Sequence, residues 1–412
     1  MQKISFIKDK NMATIIRQSY IDKIEKYLGK ETIIVLVGQR RVGKSCMMKM
    51  IRNRKKADDG NNIIYIDKEK REFDNIQTYQ DLNDYIGEHF LSDKHNYILI
   101  DEIQDIKDFE RSIRSYRTEP NTDIIITGSN ARMLSNELST LIGGRYKEIY
   151  IQSLSYNEFL EFHQLSDNDE ALALYIQYGG LPGLAKIGLE EDDAREYQMD
   201  IYHTVLLKDV IMRNQIRNVP FLENLVRFLA DNTGKLISAN SIAKYMKSQG
   251  ESITSTAIIN YISFFCEAYI LHKVNRYDIH GKRIFETNDK FYFEDNGIRN
   301  AIAGGTREGD IEKVIENIIY QNLIRLGYQV YVGQLQAGEI DFVCTKPGGE
   351  RIYVQASYII ADDATREREF GNLRSIKDNY PKYVISMTPL LTKNDDNGIT
   401  HLNLRKFLTE GI

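Results

Sequence analysis

The residues whose types and spacing could do chemistry begin where an apolar run meets a loop with two glycines. Residues 33–37 (IIVLV) are followed by GQRRVGKS, and an apolar pattern at helical spacing begins at Cys46. In this order of strand, loop and helix, backbone N–H groups surround phosphate oxygens, a lysine meets the β- and γ-phosphates and a hydroxyl completes a Mg²⁺ shell. The predicted phosphate site is Gly38, Gln39, Arg40, Arg41, Val42, Gly43, Lys44, Ser45 and Cys46, with Lys44 catalytic and Ser45 at the metal.

A second apolar run, residues 97–100, ends in two acids, Asp101 and Glu102. A buried strand that ends in this way can direct Asp101 at the water shell of Mg²⁺ and Glu102 at the attacking water, as in a Walker B motif. Adjacent acids after a strand are also common on protein surfaces. Their position downstream of a phosphate loop favours the roles in metal binding and catalysis.

Two further positions are candidates for contact with a γ-phosphate. The apolar run 123–127 ends in Gly-Ser-Asn, and a polar side chain there, Asn130 or Ser129, would lie between the two Walker strands. Arg145 precedes the run 146–151 and could stabilise γ-phosphate charge within one subunit or across a subunit interface. The competing interpretations are an ordinary turn and a surface arginine. Upstream, Arg17 lies on an amphipathic segment that could pack beside the nucleotide base or simply cover the sheet.

Length and composition bound the class of protein. A chain of 412 residues is too long for one core, so two or three domains are expected. The net charge of −5 gives no global attraction to nucleic acid or to an anionic membrane, so any such contact needs a local patch. The three cysteines lie far apart, which suits a reducing compartment. No apolar run has the length of a membrane span, so we expect a cytoplasmic protein.

The middle of the chain carries a different signal. Residues 153–200 are predicted to be helical with a break at GGLPG, and they suit the helical lid of a P-loop ATPase. Residues 238–293 are predicted as helices followed by a hairpin, which is the order of a winged helix. The helix in the recognition position is poor in lysine and arginine, whereas the hairpin offers Arg276, Lys282 and Arg283. The two interpretations are DNA binding and a structural or protein-contacting module, and the second is favoured.

From residue 310 the pattern is again that of an α/β domain, and it resembles the PD-(D/E)xK nuclease core. Such a core needs an acid at Asp341, a helix acid at Glu316, and an acid and a lysine two residues apart on the next strand, to hold Mg²⁺ and activate water. Here those last two positions are Gln355 and Ser357. We therefore predict a nuclease-like fold that has lost cleavage.

Taken together, the segments GQRRVGKS, IDEIQ, ITGSNARMLS, LIGGRY, LSYNEFL and YGGLP resemble the prokaryotic AAA+ ATPases that carry a C-terminal domain of unknown function, related to restriction-endonuclease-like folds. The resemblance runs nearly end to end. It implies ATP and Mg²⁺ as ligands, ATP binding at the phosphate loop, metal and water chemistry at Asp101 and Glu102, and sensing at Asn130 and Arg145.

The predicted fold class is α/β. An AAA+ P-loop core with a parallel sheet is expected over residues 1–152, a helical lid over 153–200, a winged-helix-like domain over 201–305 and a nuclease-like domain over 306–412. The predicted function is Mg²⁺-dependent ATP hydrolysis that switches a protein or DNA partner. The alternative is a DNA-binding ATPase with residual ATP-gated nuclease activity. Homo-oligomerisation is left open, and no membrane contact is expected.

Overall fold

A computed structural model describes residues 15–130, 144–251, 253–281, 283–305, 308–336, 338–389, 395–396 and 398–412. The chain forms two compact units. The first comprises the described residues up to Gln152 together with Glu267–Tyr269, and the second comprises Ser153–Cys266 and Ile270–Ile412. Lys282 of the predicted wing lies outside the described residues, and so do the side chain of Arg283 and the segment 131–143 that follows Asn130.

The first unit is built on a sheet of five parallel strands in the order β2-β3-β4-β1-β5. The strands are β1 (Ile33–Val37), β2 (Asn61–Asp67), β3 (His95–Asp101), β4 (Thr122–Gly128) and β5 (Tyr146–Tyr150). Strand β4 lies between β1 and β3, so the ends of both Walker strands flank the end of β4. Because the strands are parallel, these three ends meet at one edge of the sheet.

Helices cover both faces of this sheet. They span Gln18–Glu25, Lys44–Lys56, Tyr79–His89 and Glu110–Tyr116, with short 3₁₀ turns at Arg71–Phe73 and Ile103–Asp105. All five residues of β1 are buried, as expected for a central parallel strand. Side chains alternate along β1, so Val35 and Val37 pack in the core on one face and Ile34 and Leu36 in the core on the other. The two cores hold the carboxyl edge in place.

The second unit contains a mixed sheet of eight strands in the order β12-β13-β11-β10-β9-β8-β6-β7. The strands are β6 (Leu271–Asp278), β7 (Arg283–Phe293), β8 (Gln329–Gln334), β9 (Glu339–Thr345), β10 (Arg351–Ala356), β11 (Lys382–Ser386), β12 (Asp395–Asp396) and β13 (Ile399–Asn403). The β6–β7 hairpin, predicted as a wing, does not stand apart. It joins this sheet because β6 pairs in parallel with β8.

The described helices after Gln152 belong to the second unit. They span Tyr156–His163, Asp169–Tyr178, Leu184–Ile187, Glu191–Val205, Val219–Asp231, Ala239–Ser248, Ser255–Glu267, Asn296–Ala303, Ile311–Arg325, Asp363–Arg374 and Leu404–Glu410, with a π-helical turn at Leu206–Met212 and a 3₁₀ turn at Glu308–Asp310. Three of these helices precede the β6–β7 hairpin in the order predicted for a winged helix.

Close packing explains why the GGLP segment has a glycine at residue 180. A Cβ on Gly180 would lie 2.4 Å from the carbonyl oxygen of Leu154, so no larger residue fits. The Gly180 N–H donates to the Asp295 carboxylate at 2.8 Å, and the same carboxylate accepts the Ile298 N–H at the start of the Asn296–Ala303 helix. Burial raises the pKa of Asp295 to about 6. The predicted break is therefore a tight junction between two helices.

Candidate nucleotide site

The phosphate loop has a geometry that only its glycines allow. Gly38 has a φ of +141°, and a Cβ there would lie 2.2 Å from the carbonyl oxygen of Ile151. Gly43 is left-handed (φ +104°) and starts the Lys44–Lys56 helix. Lys44 Nζ donates to the carbonyl oxygens of Gly38 at 2.8 Å and Gln39 at 2.9 Å. The loop thus curves around the lysine ammonium at a helix N-terminus, where an anion is favoured.

The remaining loop residues divide into buried and exposed groups. Val42 packs in the core beneath β1, and Gln39 is also buried. Arg41 and Cys46 are exposed, and Arg41 is left-handed with a φ of +69°. Arg40 lies 3.9 Å from the exposed Glu69 carboxylate, a contact worth little in water. Val42 and Gln39 fix the shape of the loop because they are buried, whereas Arg41 and Cys46 face solvent.

Arg17 supports the loop from behind. Its guanidinium donates to the carbonyl oxygens of Val42 at 3.2 Å and Gln152 at 2.7 Å, and the side chain is buried. It therefore ties the phosphate loop to the residue just after β5. Of the two interpretations drawn from the sequence, these contacts fit the structural one, because the guanidinium is engaged with the protein backbone.

The two predicted acids lie at the end of β3, next to the loop. Asp101 is only 1% exposed, and burial raises the pKa of its carboxyl group. Hydrogen bonds to Thr127 and Ser45 act in the opposite direction, because they stabilise the ionised form. The structure therefore brings together Ser45 and Asp101, the two residues predicted to hold the metal.

Thr127, which the sequence did not single out, connects the two acids. Its hydroxyl donates to the Asp101 carboxylate and accepts the Glu102 backbone N–H at 2.9 Å. Glu102 is left-handed, with a φ of +55°, a conformation that is uncommon for a residue other than glycine and concentrates at functional sites. The available signal in the sequence was a lone hydroxyl residue at the end of an apolar strand.

The Glu102 carboxylate is held by two neighbours. Ser129 Oγ donates to Glu102 Oε2 at 3.3 Å, and the side-chain amide of Gln104 donates to the same oxygen. Asn130 is buried beside them, at the end of β4. Both sensor candidates thus follow the strand that lies between the two Walker strands, and Ser129 contacts Glu102.

Arg145 lies at the opposite edge of the sheet. Its carbonyl oxygen accepts the N–H of Ile33, the first residue of β1, whereas the phosphate loop follows the last. A five-residue strand at about 3.3 Å per residue separates the two edges by roughly 16 Å. The Arg145 side chain is exposed. Within one chain the structure does not bring Arg145 to the phosphate loop, so a role at a γ-phosphate would require the site of a second copy.

The predicted acids of the C-terminal region also meet. Glu316 on the Ile311–Arg325 helix and Asp341 on β9 both contact Lys290 of β7, a residue that the sequence did not single out. Gln355 lies beside them, and its side-chain oxygen faces the Asp341 N–H at 3.4 Å. Of the predicted wing residues, Arg276 is bonded to the side chain of Gln334 on β8. That contact uses its guanidinium inside the sheet.

Comparisons with known proteins bear on the class of the first unit. Residues 30–160 match a family model described as an AAA domain, and residues 169–309 match one described as a domain of unknown function (DUF8612). The fold, the site and the first of these matches define an AAA-type P-loop ATPase domain. The second match ends at residue 309, so most of the predicted nuclease-like region lies beyond it. The predicted winged helix and nuclease-like fold therefore stay predictions.

Relatives extend the similarity over almost the whole chain. An uncharacterized protein of Haemophilus influenzae is 34% identical, over 91% of this chain and 94% of that one. This chain belongs to the family of that protein. An uncharacterized protein of Methanocaldococcus jannaschii is 26% identical, over 86% of this chain and 81% of that one. Among solved structures, the Walker-type ATPase of Pyrococcus abyssi has the same fold, with a TM-score of 0.51 at 14% identity, over 70% of this chain and 96% of that one.

Membrane insertion of a helix finds no support in the structure. In the part of the chain that the structure describes, no helix combines the length and apolar character that crossing a bilayer requires.

Proposed function

We propose that this chain binds ATP at the phosphate loop and hydrolyses it with Mg²⁺. The observation that carries the proposal is the connected polar set at the carboxyl edge of the first sheet. The Thr127 hydroxyl donates to the Asp101 carboxylate and accepts the Glu102 N–H, the Ser45 hydroxyl favours the ionised form of Asp101, and Lys44 precedes Ser45 in the loop. Such a set joins phosphate binding, metal binding and water activation in one place.

The donor atoms fit Mg²⁺. The Ser45 hydroxyl and the Asp101 carboxylate are hard oxygen ligands, which Mg²⁺ prefers. Burial raises the pKa of Asp101, so its ionised form gains from a cation beside it. When bound, the metal would neutralise charge on the β- and γ-phosphates, with Ser45 and Asp101 as the residues that hold it.

The side chains of this unit would perform the remaining steps. Lys44 exchanges the carbonyl oxygens of its own loop for phosphate oxygens, because an ammonium binds an anion more strongly than a neutral carbonyl. Glu102 orients the attacking water and polarises it towards the γ-phosphate. Ser129 and Gln104 keep the Glu102 carboxylate in one position, and Ser129 or Asn130 would respond when the γ-phosphate arrives.

The test is the Glu102→Gln variant, with Glu88→Gln as its control, since Glu88 is an exposed acid on the Tyr79–His89 helix. Glutamine keeps the size of the side chain and removes its basicity. We expect ATP affinity to stay close to that of the native chain while turnover falls about 100-fold or more. Equilibrium ATP binding and steady-state phosphate release measure the two effects. Native turnover in Glu102→Gln would show that another group activates the water.

DNA and protein are the two classes of partner on which such a nucleotide switch would act. Two observations support a protein partner. The Ser255–Glu267 helix (STAIINYISFFCE), which occupies the recognition position of the predicted winged helix, contains no lysine or arginine. Arg276 is engaged with Gln334. Turnover measured with and without duplex DNA separates the classes. A several-fold increase with DNA would support the DNA-binding alternative, and an unchanged rate would support a protein partner.

Arg145 would serve the site of a second copy, if the chain assembles. In that arrangement each site combines Lys44 of one copy with Arg145 of its neighbour. Lys44→Ala and Arg145→Ala chains, each inactive alone, would then regain part of the ATPase activity when mixed. An Arg145→Ala chain that keeps native turnover on its own would assign Arg145 to the surface.

A further inference from the structure

The second unit holds one ammonium at the centre of three carboxylates. Lys290 of β7 has a side chain only 3% exposed, and its Nζ lies 2.9 Å from Glu316 Oε1, 2.6 Å from Glu339 Oε1 and 3.1 Å from Asp341 Oδ1. A lysine ammonium has three N–H donors, and each has a carboxylate to receive it. A charge buried this deeply is stable only when it is paired in this way.

The carboxylates are also fixed by groups other than the lysine. The Tyr292 hydroxyl donates to Glu316 Oε1 at 2.6 Å, and the Ala356 N–H donates to Asp341 Oδ2 at 3.0 Å. Gly234 closes against Glu316, because a Cβ at residue 234 would lie 2.8 Å from Glu316 Oε2. Glu316 and Asp341 are therefore held in position by groups other than the lysine.

One ammonium does not balance three acids. Burial, together with the nearby Asp341 carboxylate, raises the pKa of Glu316 to about 7, although Lys290 acts in the opposite direction. The same surroundings raise the pKa of Lys290 well above its usual value, because the three carboxylates outweigh burial. The three acids together favour a positive charge at their centre, and Lys290 is the group that supplies it.

The two positions that would carry an acid and a lysine in a nuclease core, Gln355 and Ser357, supply no charge. Gln355 of β10 donates to the Glu369 carboxylate at 3.2 Å. Ser357 is 5% exposed, and its hydroxyl is without a bonding partner among the residues described. Ser357 follows the last residue of β10, and its backbone N–H donates to the carbonyl oxygen of Ile385 at 3.0 Å. The positive charge of this site therefore comes from β7, outside the expected strand.

We propose that Glu316, Glu339 and Asp341 form a cation site whose resident cation is the Lys290 ammonium. The ammonium stands where a hard divalent cation would otherwise bind, since all the available ligand atoms are oxygens. In the described part of the chain, no set of three or more His, Cys, Asp or Glu side chains is arranged to hold a metal, and at this cluster the ammonium lies between the three carboxylates. Removal of Lys290 converts the cluster into a divalent-cation site, without any added acid.

This assignment goes beyond the ATPase and does not depend on it. It gives the cluster a structural role, because the ammonium joins β7, β9 and the Ile311–Arg325 helix at one point. It also gives a physical reason for the predicted loss of metal-dependent cleavage at these acids. A metal would have to displace an ammonium that three carboxylates hold at once.

Terbium luminescence tests the proposal on the full chain. The sequence has no tryptophan and 26 tyrosines, so bound Tb³⁺ is excited through tyrosine, and Tyr292 touches the cluster. The Asp101→Asn substitution is present throughout, to remove the metal ligand of the nucleotide site. Tb³⁺ is titrated into this background, into Lys290→Met, into Glu316→Gln, and into Lys290→Met with Glu316→Gln. Lys273→Met is the matched control, a half-exposed lysine of the same hairpin that pairs with Asp289.

We expect Lys290→Met to gain a Tb³⁺ site that binds Tb³⁺ about tenfold or more tightly than the background chain does. Mn²⁺ and Ca²⁺ should compete with Tb³⁺ for this site, and the added Glu316→Gln substitution should remove it. Lys273→Met should gain none. A folded Lys290→Met chain with no gain would overturn the proposal. If Lys290→Met unfolds, Ca²⁺ should restore its melting transition, and failure to do so counts against the site. Glu316→Gln in a chain that keeps Lys290 should leave the Tb³⁺ emission unchanged. A lower emission in that chain would also overturn the proposal.

Discussion

Two buried lysines, one in each unit, show how the same ammonium can serve opposite purposes. Lys44 donates to two neutral carbonyl oxygens of its own loop, at a helix N-terminus. Lys290 is surrounded by three carboxylates. A neutral carbonyl is a weak competitor for an ammonium, so an arriving phosphate can replace it. Three carboxylates in a buried site are strong competitors, so no incoming ligand can replace them.

The two sites differ in whether their acidic side chains are already paired with a cation. At the nucleotide site the acids Asp101 and Glu102 are bonded to Thr127 and to Ser129, which are neutral, and a metal and phosphates can add to the set. At the Lys290 cluster the acids are bonded to an internal cation. One site is prepared for a ligand, and the other contains its ligand already. Four substitutions test this contrast.

Lys290→Met should give the largest effect, on stability. It leaves three carboxylates without their cation, and breaking a buried ion pair costs about 3–5 kcal/mol. Hydrogen exchange of the Ile311–Arg325 helix should accelerate, while exchange in the five-stranded sheet stays native. Lys273→Met, on the same hairpin, should change neither. Native exchange rates in Lys290→Met would mean that the acids do not need the ammonium.

Lys44→Ala should leave the fold intact and remove activity. Loss of one charged group that binds the phosphates costs about 3–4 kcal/mol of transition-state stabilisation, or 10²–10³ in turnover. Phosphate release measures it, and the thermal melting transition verifies the fold. Lys49→Ala, an exposed lysine of the same helix, is the control. If Lys44→Ala unfolded the first unit instead, Lys44 would resemble Lys290 and the contrast would fail.

Glu316→Gln should flatten the pH dependence of the second unit. The pKa of Glu316 is raised from 4.5 to about 7, so the folded state holds a proton that the unfolded state releases near pH 4.5. Stability therefore falls as the pH rises from about 4.5 to 7, by roughly 2–3 kcal/mol. The charged groups facing Glu316 are Lys290 from β7 and Asp341 and Glu339 from β9, with Tyr292 bonded to it.

Hydrogen exchange or urea unfolding at pH 5 and pH 8 measures this difference. The native chain should lose stability between the two values, and Glu316→Gln should lose less. Glu312→Gln, an exposed acid of the same helix, should behave like the native chain. An equal slope in all three chains would assign the pH dependence to other groups.

Thr127→Val should give the smallest effect. Valine keeps the shape of threonine and removes the hydroxyl that serves Asp101 and the Glu102 N–H, which costs about 1–2 kcal/mol. We expect slower ATP turnover with a small loss of stability, read from phosphate release and thermal melting. Thr122→Val, at the other end of β4, should leave turnover unchanged. Native turnover in Thr127→Val would show that the two acids are positioned by other groups.

The sequence predicted those parts of the protein in which chemistry depends on residues close together in the chain. Gly38 to Ser45 form one continuous loop, and Asp101 and Glu102 are adjacent, so the motif spacing was enough to predict a nucleotide site at these residues. The parallel sheet and its helices also followed from local patterns. An AAA domain match and a similar fold agree with that part of the prediction.

Residues whose roles depend on distant partners were missed or left open. Thr127 meets an acid 26 positions away, and Lys290 meets Asp341 across 51 positions. Arg145 looked suitable by type, yet the direction of the strands puts it at the wrong edge of its own sheet. The sequence by itself determined the nucleotide loop and the paired acids, because their geometry is local. Only the tertiary structure decided that one lysine faces exchangeable carbonyls and the other faces three carboxylates, because burial and strand pairing set the charges around each.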